Sequence, residues 1–139
     1  MKIPVQIAEE IAMIGPRIGR KILADMSQVA DMPPAQMFVL MFLFHNGPAR
    51  TSDIVRELRV AAPTATGIVD RLVTSGYALR SEDREDRRAV IVELTAEGKK
   101  IACKLRTVVV KHWIEILSKI SREDAEKYLE ILKKINEAL

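Results

Sequence analysis

The sequence predicts a mainly α-helical fold interrupted by one small β-hairpin, and three observations carry that prediction. Apolar residues recur at three- and four-residue steps along most of the chain, the period of a helix face. The hydrophobic residues, 48% of the total, are mostly Ile, Leu, Val, Ala and Met, with only 4% aromatic, a composition suited to helices packed on helices. The rhythm breaks once. The nine residues Arg80 to Arg88 are almost entirely charged and lead into the β-favouring run Val90-Ile91-Val92. With 139 residues, the chain supports one domain with a real core and is too short for two independent ones, so residues 1–139 form a single unit.

The elements follow in order. From about Pro4 to Ala30, the stripe Ile7, Ile11, Ile14, Ile18, Ile22, Met26 marks one helix. Gly15-Pro16 is expected to bend it or split it in two, because proline removes a donor and crowds the preceding turn. Pro33-Pro34 starts a second helix, Ala35 to His45, closed by Asn46-Gly47-Pro48. Its run Met37 to Phe44 is apolar on nearly every side, which predicts the buried centre of the domain. Thr51 is a candidate N-cap for a short third helix from Ser52 to about Leu58, with Asp53 adding favourable charge in the first turn.

Pro63 suits the first turn of a fourth helix that ends at Gly76. In that helix Ala65, Ile68, Val69, Leu72 and Val73 share one face, leaving Thr64, Thr66, Gly67, Asp70 and Arg71 on the other. Tyr77 to Arg80 and Ala89 to Leu94 read as the two strands of the hairpin. Thr95 caps a long helix to about Lys119, and Ser121-Arg122-Glu123-Asp124 starts a last one with capping-box spacing. The order of two short helices joined by a turn, then a charged hairpin, is that of a winged helix-turn-helix with a two-stranded wing, spanning residues 34–95. Residues 1–30 and 96–139 supply flanking helices.

Charge agrees with a DNA reader. The net charge is only +3, but residues 49–107 carry twelve Lys and Arg against nine Asp and Glu, while the rest of the chain is balanced. The basic excess therefore lies with the proposed phosphate-contacting surface. Threonine hydroxyls and one arginine on an exposed helix face suit base edges in a major groove, and Gly67 permits close backbone approach. In the wing, Arg80, Arg84, Arg87 and Arg88 are matched by Glu82, Asp83, Glu85 and Asp86, so bulk attraction is not its role. Carboxylates that orient some arginines while another enters a minor groove give one account of this run. A solvated turn gives the other.

Taken together, Leu58 to Gly76 with Ile68-Val69-Asp70-Arg71-Leu72 at its centre, Asp83-Arg84-Glu85-Asp86-Arg87-Arg88, and Leu94-Thr95-Ala96-Glu97-Gly98 resemble the MarR family of transcriptional regulators, over essentially the whole chain. The resemblance implies a homodimer whose first and last helices interlock, with a recognition helix of each subunit in the major groove and a wing arginine in the minor groove. It implies that Thr64, Thr66 and Arg71 contact the groove or its phosphates, that Arg88 or Arg84 is the wing probe, and that Asp86 orients it. Thr51, Pro63, Gly67 and Arg87 complete the DNA-binding set, and Ile7, Ile11, Trp113, Leu117, Tyr128, Leu132 and Ile135 form the dimerisation set. The sequence departs from the family pattern at Ala61 and Ala62, where a capping serine and a polar or basic residue are common, and at Gly67, where a larger polar residue is common. Those departures shift specificity towards DNA shape.

The terminal helices carry more apolar surface than a small reader needs, which independently indicates a buried partner face, the alternative being an intramolecular bundle. A two-fold dimer implies a pseudo-palindromic site with half-sites roughly 10 base pairs apart. The partners expected are thus double-stranded DNA, a second copy of the chain and a possible small-molecule effector of a prokaryotic repressor; no cofactor and no metal are expected. Met13, Met26, Met37 and Met41 either line an adaptable pocket or, more simply, fill the core. Cys103 does not match the family's sensor cysteine, which lies in the first helix, and a single cysteine excludes an internal disulfide and a Cys-rich metal site. Cytoplasmic residence is expected, since Glu9, Glu10, Arg17, Arg20 and Lys21 interrupt the N-terminal apolar pattern and no run is long enough to span a membrane.

Catalysis is not expected. The two histidines are His45 and His112, and Cys103 and His112 lie about 13 Å apart along one helix on opposite faces. There is no glycine-rich phosphate loop, nucleophile elbow or metal-ligand cluster. A protein-interaction adaptor that uses the same fold without specific DNA binding is the rival function.

Overall fold

A computed structural model describes residues 3–139. Its first helix, α1 (Val5–Val29), runs through Gly15-Pro16 without a break, so the expected split does not occur. Pro16 removes one donor to the Ala12 carbonyl, but this half of α1 is exposed throughout, and water can satisfy the freed group. Only the second half of α1 joins the core, through Ile22 and Met26.

Helix α2 (Pro34–Asn46) begins with proline at N1 and stops at Gly47, whose φ of 77° lies in the left-handed region and whose N–H donates to the Leu43 carbonyl at 2.9 Å. Met37, Val39, Leu40 and Leu43 are buried as their continuous apolarity predicts, while Phe38 remains half exposed. A strand absent from the sequence reading follows, β1 (Ala49–Arg50). Helix α3 (Thr51–Leu58) then starts with Arg50, not Thr51, in the capping position. The reason is local: the Asp53 carboxylate accepts the Arg50 N–H at 3.0 Å, which closes the turn one residue earlier and draws Thr51 into the helix.

Arg59, with φ 53°, reverses the chain in a three-residue turn before α4 (Ala62–Thr74). The expected inward face, Ala65, Ile68, Val69 and Leu72, is buried, and Val73 is half-buried. At its end, Tyr77 N–H donates to the Leu72 carbonyl at 2.9 Å and Gly76 N–H to Val73 at 3.0 Å, a Schellman closure that needs the φ of 83° at Gly76.

The wing strands are β2 (Ala78–Glu82) and β3 (Val90–Leu94), each displaced slightly from the sequence-predicted bounds. The sheet has three antiparallel strands in the order β1-β3-β2, with Ala49 opposite Val92 and Arg80 opposite Val92 on the other side. Helix α5 (Ala96–Leu117) starts as predicted, the Thr95 hydroxyl accepting the Gly98 N–H at 3.0 Å, and α6 (Arg122–Ala138) starts with Ser121 accepting from Asp124 at 3.0 Å. One core joins the second half of α1 with α2, α3, α4, α5 and the sheet, centred on Met37, Leu40, Ile54, Leu72, Val92 and Leu105. The last helix stands apart: only Ala125 of α6 is even half-buried. Among the described residues no helix is long and apolar enough to cross a membrane.

Candidate nucleic-acid interface

The burial of Ala65, Ile68, Val69 and Leu72 fixes the rotation of α4 about its axis, and that rotation presents Thr64, Thr66, Asp70 and Arg71 to solvent. Pro63 is exposed in the first turn, and Thr51 is half-buried where α3 leaves β1. Gly67 lies on the outer face, and a Cβ added there would meet nothing within 4 Å. No neighbour among the described residues requires glycine at this position, which leaves space above the backbone for an outside group.

The wing tip is built by carboxylates bonding to amides. Asp83 Oδ1 accepts the Glu85 N–H at 3.0 Å and Asp86 Oδ1 accepts the Arg88 N–H at 3.0 Å, two local turns closed by Asp83 N–H donating to the Ala89 carbonyl at 3.1 Å. Asp86 therefore holds the backbone of Arg88 and leaves its guanidinium unengaged. The side chains of Arg84, Arg87 and Arg88 are all exposed and make no ion pair among the described residues. The amide of Glu85 first, and the Arg50 guanidinium after it, hold the Asp83 carboxyl below its ordinary value against partial desolvation.

Two arginines outside the expected DNA-binding set tie the wing to the reader. Arg50, at the start of α3, pairs with Asp83 at 2.5 Å. Arg80 on β2 pairs with Asp70 of α4 and also donates to the Thr66 carbonyl at 3.3 Å. Alternating charges in the sequence carry no signal for which partner each one takes, so neither contact was legible there.

The remaining candidates lie on α1, α2, α5 and α6. Trp113 and Tyr128 rings are 5.9 Å apart, and with Leu117, Leu129 and Leu132 they line an apolar groove of about 470 Å³ between α5 and α6. Ile7 and Ile11 are exposed on α1 and Ile135 is exposed on α6, and all three lie outside that groove. A second groove, of about 530 Å³, separates α1 and α5 from the reader and is lined by Ile22, Met26, Phe38, Met41, Leu58 and Val109 among others. Of the four methionines considered for a pocket, Met26 and Met41 face this groove, Met37 is fully buried and Met13 is exposed. Cys103 is exposed on α5, whereas His112 is buried and its Nδ1 lies 2.6 Å from Asp25 Oδ2 of α1. Among the described residues no cluster of His, Cys, Asp and Glu could hold a metal ion.

A helix with an exposed polar face after a three-residue turn, flanked by a tethered hairpin with an arginine-rich tip, defines a winged helix-turn-helix, a class of DNA-binding fold. A model described as the MarR family matches residues 32–90. The chain is 37% identical over 107 residues to the uncharacterized HTH-type transcriptional regulator YfiV of Bacillus subtilis (strain 168), a match that covers 75% of this chain and 67% of that protein. The chain belongs to the MarR family of transcriptional regulators.

Solved structures share the fold. A mutant MarR from E. coli complexed with operator DNA superposes with a TM-score of 0.77 at 23% identity, covering 94% of each chain. NadR in complex with 4-hydroxyphenylacetate superposes with a TM-score of 0.77 at 22% identity, covering 96% of this chain and 93% of that one.

Proposed function

We propose that the protein is a homodimeric repressor that binds a pseudo-palindromic operator and is released by a small, largely apolar effector. The observation that carries this reading is the outward face of α4, with Thr64, Thr66 and Arg71 exposed, held beside a wing tip whose arginines are free. Threonine and arginine at that face suit the donors, acceptors and thymine methyls of a major groove, and a guanidinium suits the electronegative minor groove beside it. The operator-bound E. coli MarR, which has the same fold, supports that docking.

Dimerisation is supported by the apolar faces that the single chain leaves uncovered, Ile7, Ile11 and Ile14 on α1 and Leu129, Leu132 and Ile135 on α6. The effector site proposed is the groove lined by Ile22, Met26, Phe38, Met41 and Val109, because an occupant there would touch both the flanking helices and the reader. The ligand held by NadR, a small aromatic acid, indicates the size class.

Selection of binding sites from a random duplex library, followed by salt titration on the selected site, tests the reading. A two-fold symmetric consensus with a steep salt slope supports it. Uniformly weak binding to every duplex would favour the adaptor reading instead. Arg88→Ala is expected to weaken operator binding by roughly tenfold or more without changing the melting temperature, and unaltered affinity would remove the wing from the interface.

A further inference from the structure

The wing and the recognition helix are joined by a grip that the family resemblance did not assign. Arg80 stands opposite Val92 in the sheet, and Val92 is fully buried. Cross-strand partners point to the same face. The backbone of Arg80 is thus anchored by the core, while its side chain crosses to α4. There it engages two acceptors one helical turn apart, the Thr66 carbonyl and the Asp70 carboxylate. Both contacts are made by one guanidinium nitrogen, Nη2, so a single charged donor group ties the strand to one turn of that helix.

The pair is poorly placed to serve stability. Its side chains are 32% and 57% exposed, and ion pairs in water contribute little to folding. It is well placed to set geometry, because the turn it holds is the one from which Thr66 projects, and the strand it holds leads to Arg84, Arg87 and Arg88. The second pair, Arg50 with Asp83, fastens the outer end of the same hairpin to the start of α3.

We propose that Arg80 is a positioning residue for operator recognition: gripping Asp70 and the Thr66 carbonyl, it sets the distance between recognition helix and wing so that both enter their grooves together. The inference rests on the reading of α4 and the wing as the DNA surface. Its rival is that Arg80 is a plain phosphate contact that Asp70 partly masks.

Asp70→Asn in the full chain separates the two. If Arg80 only binds phosphate, removing a carboxylate from the DNA-facing surface frees it, and affinity rises for the selected operator and for unrelated duplex alike. If Arg80 positions the wing, affinity for the operator falls about tenfold while affinity for unrelated duplex holds or rises. Base-pair changes beneath the wing then lose most of their effect, and those beneath α4 keep theirs. The double variant Asp70→Asn with Arg80→Ala should bind the operator no worse than Arg80→Ala alone; additive losses would overturn the coupling.

A readout without DNA keeps this independent of the function assigned above. In the free protein, Asp70→Asn should increase the fast backbone motion of wing amides 83–89, measured by ¹⁵N relaxation, with the melting temperature unchanged. Unchanged wing motion overturns the inference. If the wild type selects no operator, the function reading has failed, and the relaxation result alone decides the positioning role.

Discussion

A single hydrogen in the first turn of α5 decides how the two halves of the molecule meet. A Cβ built on Gly98 would lie 2.0 Å from the Tyr77 carbonyl oxygen, a backbone atom that cannot swing aside. The same junction is drawn together by Thr95, whose hydroxyl donates to the Gly76 carbonyl at 2.6 Å and accepts the Gly98 N–H at 3.0 Å, and whose own N–H reaches the Tyr77 carbonyl at 3.1 Å. Gly98→Ala should therefore destabilise the fold by about 1–3 kcal/mol, the usual cost of overpacking, and urea denaturation would measure it; an unchanged midpoint would mean the junction is looser than its geometry. The Leu94 to Gly98 segment was legible as a helix start because capping acts between neighbours in sequence. Its packing role was not, since nothing local records that Tyr77 lies overhead. His112 makes the same point more strongly: its spacing excludes a pairing with Cys103, yet carries no trace of Asp25, 87 residues away.

At the scale of elements, periodicity was a sufficient guide wherever a helix had one buried face. The inward residues of α4 and the caps of α5 and α6 follow from spacing alone. The two-residue strand β1 does not, because so short a segment shows no alternation, and it exists only because Val92 and Ile91 offer it an edge. The wing was legible as a hairpin, but the contacts that fasten its tip were not. Asp83 makes two of them, bonding the Glu85 amide and pairing with Arg50. Since these contacts hold its carboxyl below the ordinary value of 3.8, the order they give is fully present above that value and is lost as pH falls through the lower, folded-state value. The acid shift of the Glu85 amide resonance that follows Asp83 should accordingly have its midpoint below pH 3.8. A carboxyl titration of Asp83 at or above that value would show that the turn does not hold the wing in solution.

For the whole molecule, the question is what covers the flanking helices. Helix α5 and the second half of α1 pack with the reader in one core that includes Ile22, Met26, Met37, Leu40, Leu72 and Leu105, while the first half of α1 and nearly all of α6 remain at the surface. Helix α6 shows Leu129, Ile131, Leu132 and Ile135 to solvent at 39% to 53% exposure, and its apolar residues adjoin the groove beneath Trp113. Such a face in water favours association, and a second copy of the chain offers the matching stripe of Ile7, Ile11 and Ile14. Leu132 lines the groove and is 39% exposed, so a glutamate there reaches water in an isolated chain but is forced out of it in a dimer. Leu132→Glu should consequently shift the protein to monomer in sedimentation while the helical circular dichroism of the reader persists. Operator affinity should fall with it, because each recognition helix then binds its half-site without the partner's contribution to effective concentration. Persistence of the dimer at micromolar concentration would exclude this face from the interface, and with it the geometry that spaces two recognition helices on one operator.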